Sequence, residues 1–151
     1  MEDSEVMDIL KEAILLERRG QAFYSQVAAM AEGQAVKDFF NRMAAEEGRH
    51  ITELSRQYTA YLENKAFQPH EDVHEEVAAG VMTSELKKQI AAAGFEAAAI
   101  SAAMTMEKNA IQLYSERARA STDSNEKALY TWLADWEKEH LDVLARLDRE
   151  V

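Results

Sequence analysis

Apolar residues recur along most of this chain at steps of three and four, the spacing that gathers them on one face of an α-helix. In the first segment Leu10, Ile14, Tyr24 and Ala28 form such a stripe, and a helix is expected from about Ser4 to Ala31, ending near Gly33. Val36, Phe40, Met43, Ile51, Leu54 and Tyr61 predict a second helix, from about Gln34 to Asn64, which stops before Pro69. Ile100, Met104, Ile111, Tyr114 and Ala118 predict a third, from about Gly94 to Ala120. "STDSNE" then interrupts the pattern, and Asp123 followed by Glu126 reads as a capping box. A fourth helix, with Tyr130, Leu133, Leu144, Leu147 and Val151 along its stripe, runs to the end of the sequence. Each helix is roughly 25–30 residues, hence about 40 Å long at 1.5 Å per residue.

Short links join the first helix to the second and the third to the fourth, which makes two antiparallel hairpins, about 4–64 and 94–151. The connection between them, about 65–93, is long and contains "SELKKQIAAA", a short helix that Ser84 can cap. A long middle connection allows the second and third helices to run parallel. The expectation is an all-α, antiparallel four-helix bundle with one long crossover, a single domain over residues 1–151. Residues 1–61 slide onto 91–151 without a gap. Glu17/Glu107, Tyr24/Tyr114, Glu47/Glu137, His50/His140 and Leu54/Leu144 then coincide, so the chain reads as a duplicated hairpin.

The coinciding polar residues fall inside the apolar stripes. Glu17 and Glu107 sit singly in mid-helix, and Glu47 with His50 and Glu137 with His140 form Glu-x-x-His pairs. One inward Glu or His is usually satisfied by a hydrogen bond. Six at one level of a bundle are a different problem, because four carboxylates in an apolar core repel one another and lose their hydration. Two divalent cations carry four positive charges, which balance four carboxylates with the histidines as neutral ligands. Residues i and i+3 face the same way on a helix, so each Glu-x-x-His pair can reach one ion. Glu46 competes with Glu47, being four residues before His50. Position 46 aligns with Trp136 whereas 47 aligns with Glu137, so Glu46 is expected to be exposed or a neighbour of the ligands.

Composition narrows the function. The net charge is −11, a poor match for nucleic acid and a good one for small cations. With no cysteine, disulfides, thiolate catalysis and Cys-ligated metal sites are excluded. No secretory signal opens the sequence and no uncharged apolar run reaches membrane-spanning length, so a cytoplasmic location without membrane contact is expected.

Single glutamates on the first and third helices with Glu-x-x-His on the second and fourth are the ligand signature that the ferritin-like di-iron carboxylate proteins carry. The chain resembles that superfamily over nearly its whole length, and "LERRGQAFY" and "MEKNAIQLY" look like motifs of its rubrerythrin branch. The resemblance implies a ferritin-like bundle that dimerises, two iron ions per chain and reduction of peroxide. It implies that Glu47 and Glu137 bridge the metals, with Glu17 and His50 completing one shell and Glu107 and His140 the other. The donor types also permit manganese. Two departures matter. Rubrerythrins carry a further glutamate one turn after the third-helix ligand, where this chain has Ala110, so the six-ligand set is symmetric and closer to bacterioferritin. Their Cys-ligated rubredoxin domain has no counterpart without cysteine, so electrons would come from a separate donor protein. Storage ferritins add a fifth helix after the bundle; with the sequence ending at Val151, a large storage cage is not expected.

The leading reading is therefore a di-iron oxidoreductase that oxidises Fe(II) and reduces hydrogen peroxide or dioxygen. The alternatives are a non-catalytic iron-sequestering protein and a di-iron hydroxylase. Tyr24 and Tyr114, seven residues after Glu17 and Glu107, would either hydrogen-bond a carboxylate ligand or pack as buried aromatics. His70 and His74 belong to a solvated acidic loop, and Trp132 and Trp136 to the core or an interface. A second apolar line, Ile9, Leu16, Phe23 and Met30, widens the face of the first helix to meet either a second helix of the same bundle or a second copy of the chain, and the resemblance favours a homodimer.

Overall fold

The computed structural model describes residues 3–70, 84–92 and 94–150, with the side chains of 91, 92, 149 and 150 left aside. Among them are five helices and no strand: α1 (Asp3–Met30), α2 (Gln34–Asn64), α3 (Ser84–Ala92), α4 (Gly94–Ala120) and α5 (Ser124–Glu150). The bundle is all-α and ferritin-like. Helices α2 and α4 have the expected ends, while α1 begins and ends one residue earlier than its stripe suggests. The pairs α1–α2 and α4–α5 pack along their lengths, and the short α3 lies against α2, α4 and α5. No helix among the described residues is long and apolar enough to cross a membrane.

Local chemistry sets the helix ends. Gly33 precedes α2 in extended backbone and offers no side chain to cap it. The cap comes from α3, where the Gln89 Oε1 accepts the Val36 N–H at 3.3 Å. Lys37 turns back and donates through Nζ to the Ala28 carbonyl at 3.2 Å, satisfying an acceptor at the end of α1. At the start of α5, Asp123 Oδ2 accepts the Glu126 N–H at 2.8 Å. Only that half of the expected capping box forms. The Glu126 carboxylate instead takes two hydrogen bonds from Arg117, from Nε at 2.9 Å and Nη2 at 2.7 Å, because the guanidinium is buried and needs an anion. Helix α3 begins at Ser84, and whatever caps it lies outside the described residues.

The core divides into two apolar ends. One contains Tyr24, Val27, Phe39, Phe40, Met43, Ile100, Leu144 and Leu147. The other contains Val6, Leu10, Leu54, Tyr61, Tyr114, Leu129, Tyr130 and Leu133. Ile14, Ile51, Met104 and Ile111, placed in the stripes on spacing, are only half-buried. The inward positions beside them are Ala13, His50, Ala103 and Ala110. On the second apolar line Ile9, Leu16 and Phe23 are half-buried and Met30 is exposed. After α2 the chain doubles back, held by the Gln57 side chain, which accepts from the Gln68 N–H at 2.9 Å and donates to its carbonyl at 2.8 Å. This segment brings the His70 ring to 5.3 Å from that of Trp132, so His70 is half-buried, packed on one side and still partly solvated. His74 lies outside the described residues.

A Cβ at Gly33 would collide with the Gln89 amide that caps α2. Gly33→Ala should therefore cost about 1 kcal/mol, the usual worth of an N-cap. The check is urea unfolding, where the midpoint should fall at unchanged slope. In a Gln89→Ala background the same substitution should add little, since the cap is already lost.

Candidate metal centre

Between the two apolar ends each long helix turns polar groups inward. Glu17, Glu47, His50, Glu107, Glu137 and His140 are each no more than 2% exposed. Ala13 and Gly20 flank Glu17, and Ala103 and Ala110 flank Glu107, and all four are buried. Small neighbours make room for the carboxylates. At Gly20 the approach is closest, for a Cβ there would stand 3.0 Å from Glu47 Oε2.

The donor atoms fall into two groups, within each of which all lie within 4.8 Å of one another. One is Glu17, Glu47, His50 and Glu137; the other is Glu47, Glu107, Glu137 and His140. Glu47 and Glu137 are common to both. His50 Nδ1 lies 3.2 Å from Glu17 Oε1 and 3.0 Å from Glu137 Oε1. His140 Nδ1 lies 3.1 Å from Glu47 Oε1 and 3.4 Å from Glu107 Oε1. Tyr24 donates to Glu107 Oε1 at 2.5 Å and Tyr114 to Glu17 Oε1 at 2.8 Å. Each tyrosine thus reaches the glutamate of the opposite hairpin, not the one on its own helix.

Burial works against every charge here, and the centre responds by sharing protons. Burial, then the charges of Glu17 and Glu107, push the Glu47 carboxyl well above the usual range. Burial, then Glu107 and Glu17, do the same to Glu137. Burial also opposes ionisation of Glu17, yet the charge of His50 and hydrogen bonds from Glu47, His50 and Tyr114 outweigh it and hold Glu17 down at about 2. Glu107 is likewise lowered against its burial by hydrogen bonds with Glu137, His140 and Tyr24 and by the charge of His140. His140 is raised well above the imidazole range, with burial overcome by the nearby Glu107 carboxylate and by its contact with Glu46. Burial and the neighbouring carboxylates push both phenols up, so Tyr24 and Tyr114 remain O–H donors.

The proton sharing is incomplete. Glu47 Oε1, Glu107 Oε2, Glu137 Oε1 and His140 Nδ1 are buried and have no hydrogen-bond partner among the described residues. Unsatisfied acceptors facing one another at this depth are costly, and a cation between them removes the cost. Carboxylate oxygens with imidazole nitrogens are a donor set for first-row divalent metals. The residues therefore fit a metal pair. A family model described as rubrerythrin matches residues 8–148. The chain belongs to the rubrerythrin family. No curated protein and no solved structure gives a significant match. The family assignment makes this a ferritin-like di-iron domain.

Three residues of this rubrerythrin-family site escape a reading by spacing. Glu46 is 2% exposed, and His140 Nε2 approaches its Oε2 at 2.6 Å, so it is the buried neighbour of a histidine on the other hairpin. Its place four residues before His50 points to the wrong imidazole. Trp132 and Trp136 stand edge-on to His50, with ring centroids 5.5 and 5.4 Å away. Nothing in their spacing separates these tryptophans from ordinary core. A cavity of about 120 Å³ also opens between α1 and α4. Leu16, Arg19, Gly20, Met106, Asn109 and Ala110 line it, and it reaches Glu17, Glu47, Glu107 and Glu137.

Protons held by Glu47, Glu137 and His140 must leave when divalent cations enter. Because these groups are raised, protons compete with the metal as pH falls, so apparent affinity should climb with pH. Calorimetric titrations in two buffers of different ionisation heat should show proton release. A binding heat independent of the buffer would contradict it.

Proposed function

We propose that the protein is a di-iron oxidoreductase in which Glu17, Glu47, His50, Glu107, Glu137 and His140 hold two iron ions that reduce hydrogen peroxide or dioxygen. The observation that carries this reading is the cavity between α1 and α4, which leads to all four carboxylates. Its 120 Å³ suits a peroxide or a few waters and falls short of the roughly 300–1,000 Å³ typical of organic-ligand sites. A hydroxylase reading loses support for the same reason. Gly20 and Ala110 keep the passage open, since any longer side chain at either position would fill it.

The bound iron would supply one electron from each ion, enough to reduce one peroxide with two protons to two waters. Glu47 and Glu137 have each proximity to both donor groups and can span the pair. Tyr24 and Tyr114 hold Glu107 and Glu17 in place from the far hairpin and keep their own protons. Leu16 and Met106 narrow the passage with apolar surface. Return of electrons falls to a separate donor protein, because no cysteine in the chain can ligate an iron–sulfur or rubredoxin-type centre. Ala110 favours a second reading, iron sequestration without turnover, since it leaves no seventh ligand, a fifth carboxylate, to exchange.

Anaerobic loading with Fe(II), then peroxide or air, should give two irons per chain and ferric absorption in the near ultraviolet. Repeated turnover with a reductant distinguishes the oxidoreductase from a sequestering protein, which oxidises its iron once and stops. Glu47→Ala should lose at least one of the two metals, and unchanged stoichiometry would remove Glu47 from the centre. Ala110→Leu should retain metal and slow oxidation by tenfold or more, about 1.4 kcal/mol of barrier. An unchanged rate would mean the oxidant arrives elsewhere.

A further inference from the structure

The two halves of the centre share their donors but differ in what stands behind the imidazoles. His140 points Nδ1 at the carboxylates of Glu47 and Glu107, and its Nε2 lies 2.6 Å from Glu46 Oε2. Both His140 and Glu46 are buried, at 0% and 2% exposure. His50 points Nδ1 at Glu17 and Glu137, but its Nε2 has no hydrogen-bond partner among the described residues. Under the internal repeat the counterpart of Glu46 is Trp136, and that indole stands edge-on to His50 at 73° between ring planes. Trp132 meets the same ring at 69°. Trp136 also stands edge-on to His140, at 6.0 Å, so what separates the two imidazoles is the Glu46 carboxylate, which His140 has and His50 lacks.

A carboxylate on the outer nitrogen does three things for an imidazole ligand. It settles which nitrogen carries the hydrogen, it orients the ring, and it makes the inner nitrogen more basic. Aromatic walls do only the second. We propose that Glu46 makes the two metal positions unequal, so that the one formed with His140 and Glu107 binds a divalent cation more tightly than the one formed with His50 and Glu17. The proposal rests on the metal-centre reading above. Glu46 acts through His140 and is a positioning residue. Removing such a partner typically lowers metal affinity 10–100-fold. The symmetric ligand set therefore loads in order, His140 side first.

The test is an anaerobic calorimetric titration of the full chain with Mn(II) at mildly alkaline pH, where proton competition is least. Two steps separated by roughly 10–100-fold in Kd are expected. Glu46→Ala should weaken the tighter step by that factor and leave the weaker one within a few-fold. Glu46→Gln, close in shape and still a hydrogen-bond acceptor, should restore part of the loss, which guards against a variant that merely folds badly. His140→Ala should leave one weak site insensitive to Glu46→Ala, whereas His50→Ala should leave one tight site that remains sensitive. Two equal steps in the parent chain would overturn the proposal while sparing the metal centre. So would an Ala variant that weakens both steps alike or neither. No binding in the parent chain would overturn both.

Discussion

Five buried carboxyl groups, Glu46 among them, and two imidazoles are sealed together between two apolar ends, where unpaired charge is costly. Most of the interior answers to that constraint. The tyrosines donate to the two glutamates held ionised, Glu17 and Glu107. Glu47 and Glu137 carry protons instead. What remains without a partner among the described residues is a set of inward oxygens and one nitrogen that a cation can pair with. The apolar ends contribute by packing tightly enough to hold the phase of four long helices, so that mid-helix groups on all of them meet at one level.

The constraint also explains what could be read from the sequence. The ends of α2 and α4 were legible because strong punctuation marks them: Gly33 and Pro69 around one, "STDSNE" after the other. The six polar residues were legible because charge inside an apolar stripe has few structural uses. The stripe itself was misplaced by one position at Ile14 and Met104. The inward neighbours there are Ala13 and Ala103, which carry little hydrophobic weight but leave room near a carboxylate. Glu46 could be placed only as exposed or as a neighbour of the ligands, and it is the neighbour; the sequence left the choice open because its partner, His140, is 94 residues away. The repeat that singled out Glu47 could only say that Glu46 was different. His50's two tryptophans were invisible for a similar reason, as edge-on contact between helices has no spacing of its own.

Small size does further work at the surface of the site. Gly20 and Ala110 occupy equivalent positions in the two halves and together leave the passage to the carboxylates. Gly20 also relieves crowding against Glu47. Under the proposed function, a passage of this width would select by size before any chemistry occurs and would favour peroxide and dioxygen over bulky substrates.

The crossed tyrosines have a different implication. Tyr24 bonds the Glu of the second hairpin, and Tyr114 bonds the Glu of the first. A contact in which i meets j and j meets i is what a two-fold axis produces between identical subunits. The molecule is in this respect a homodimer of hairpins whose partners have been tethered by residues 65–93. Tethering ends the obligation to be identical. A dimer of hairpins must put the same residue behind both imidazoles, whereas one chain can place a carboxylate behind one and an indole behind the other.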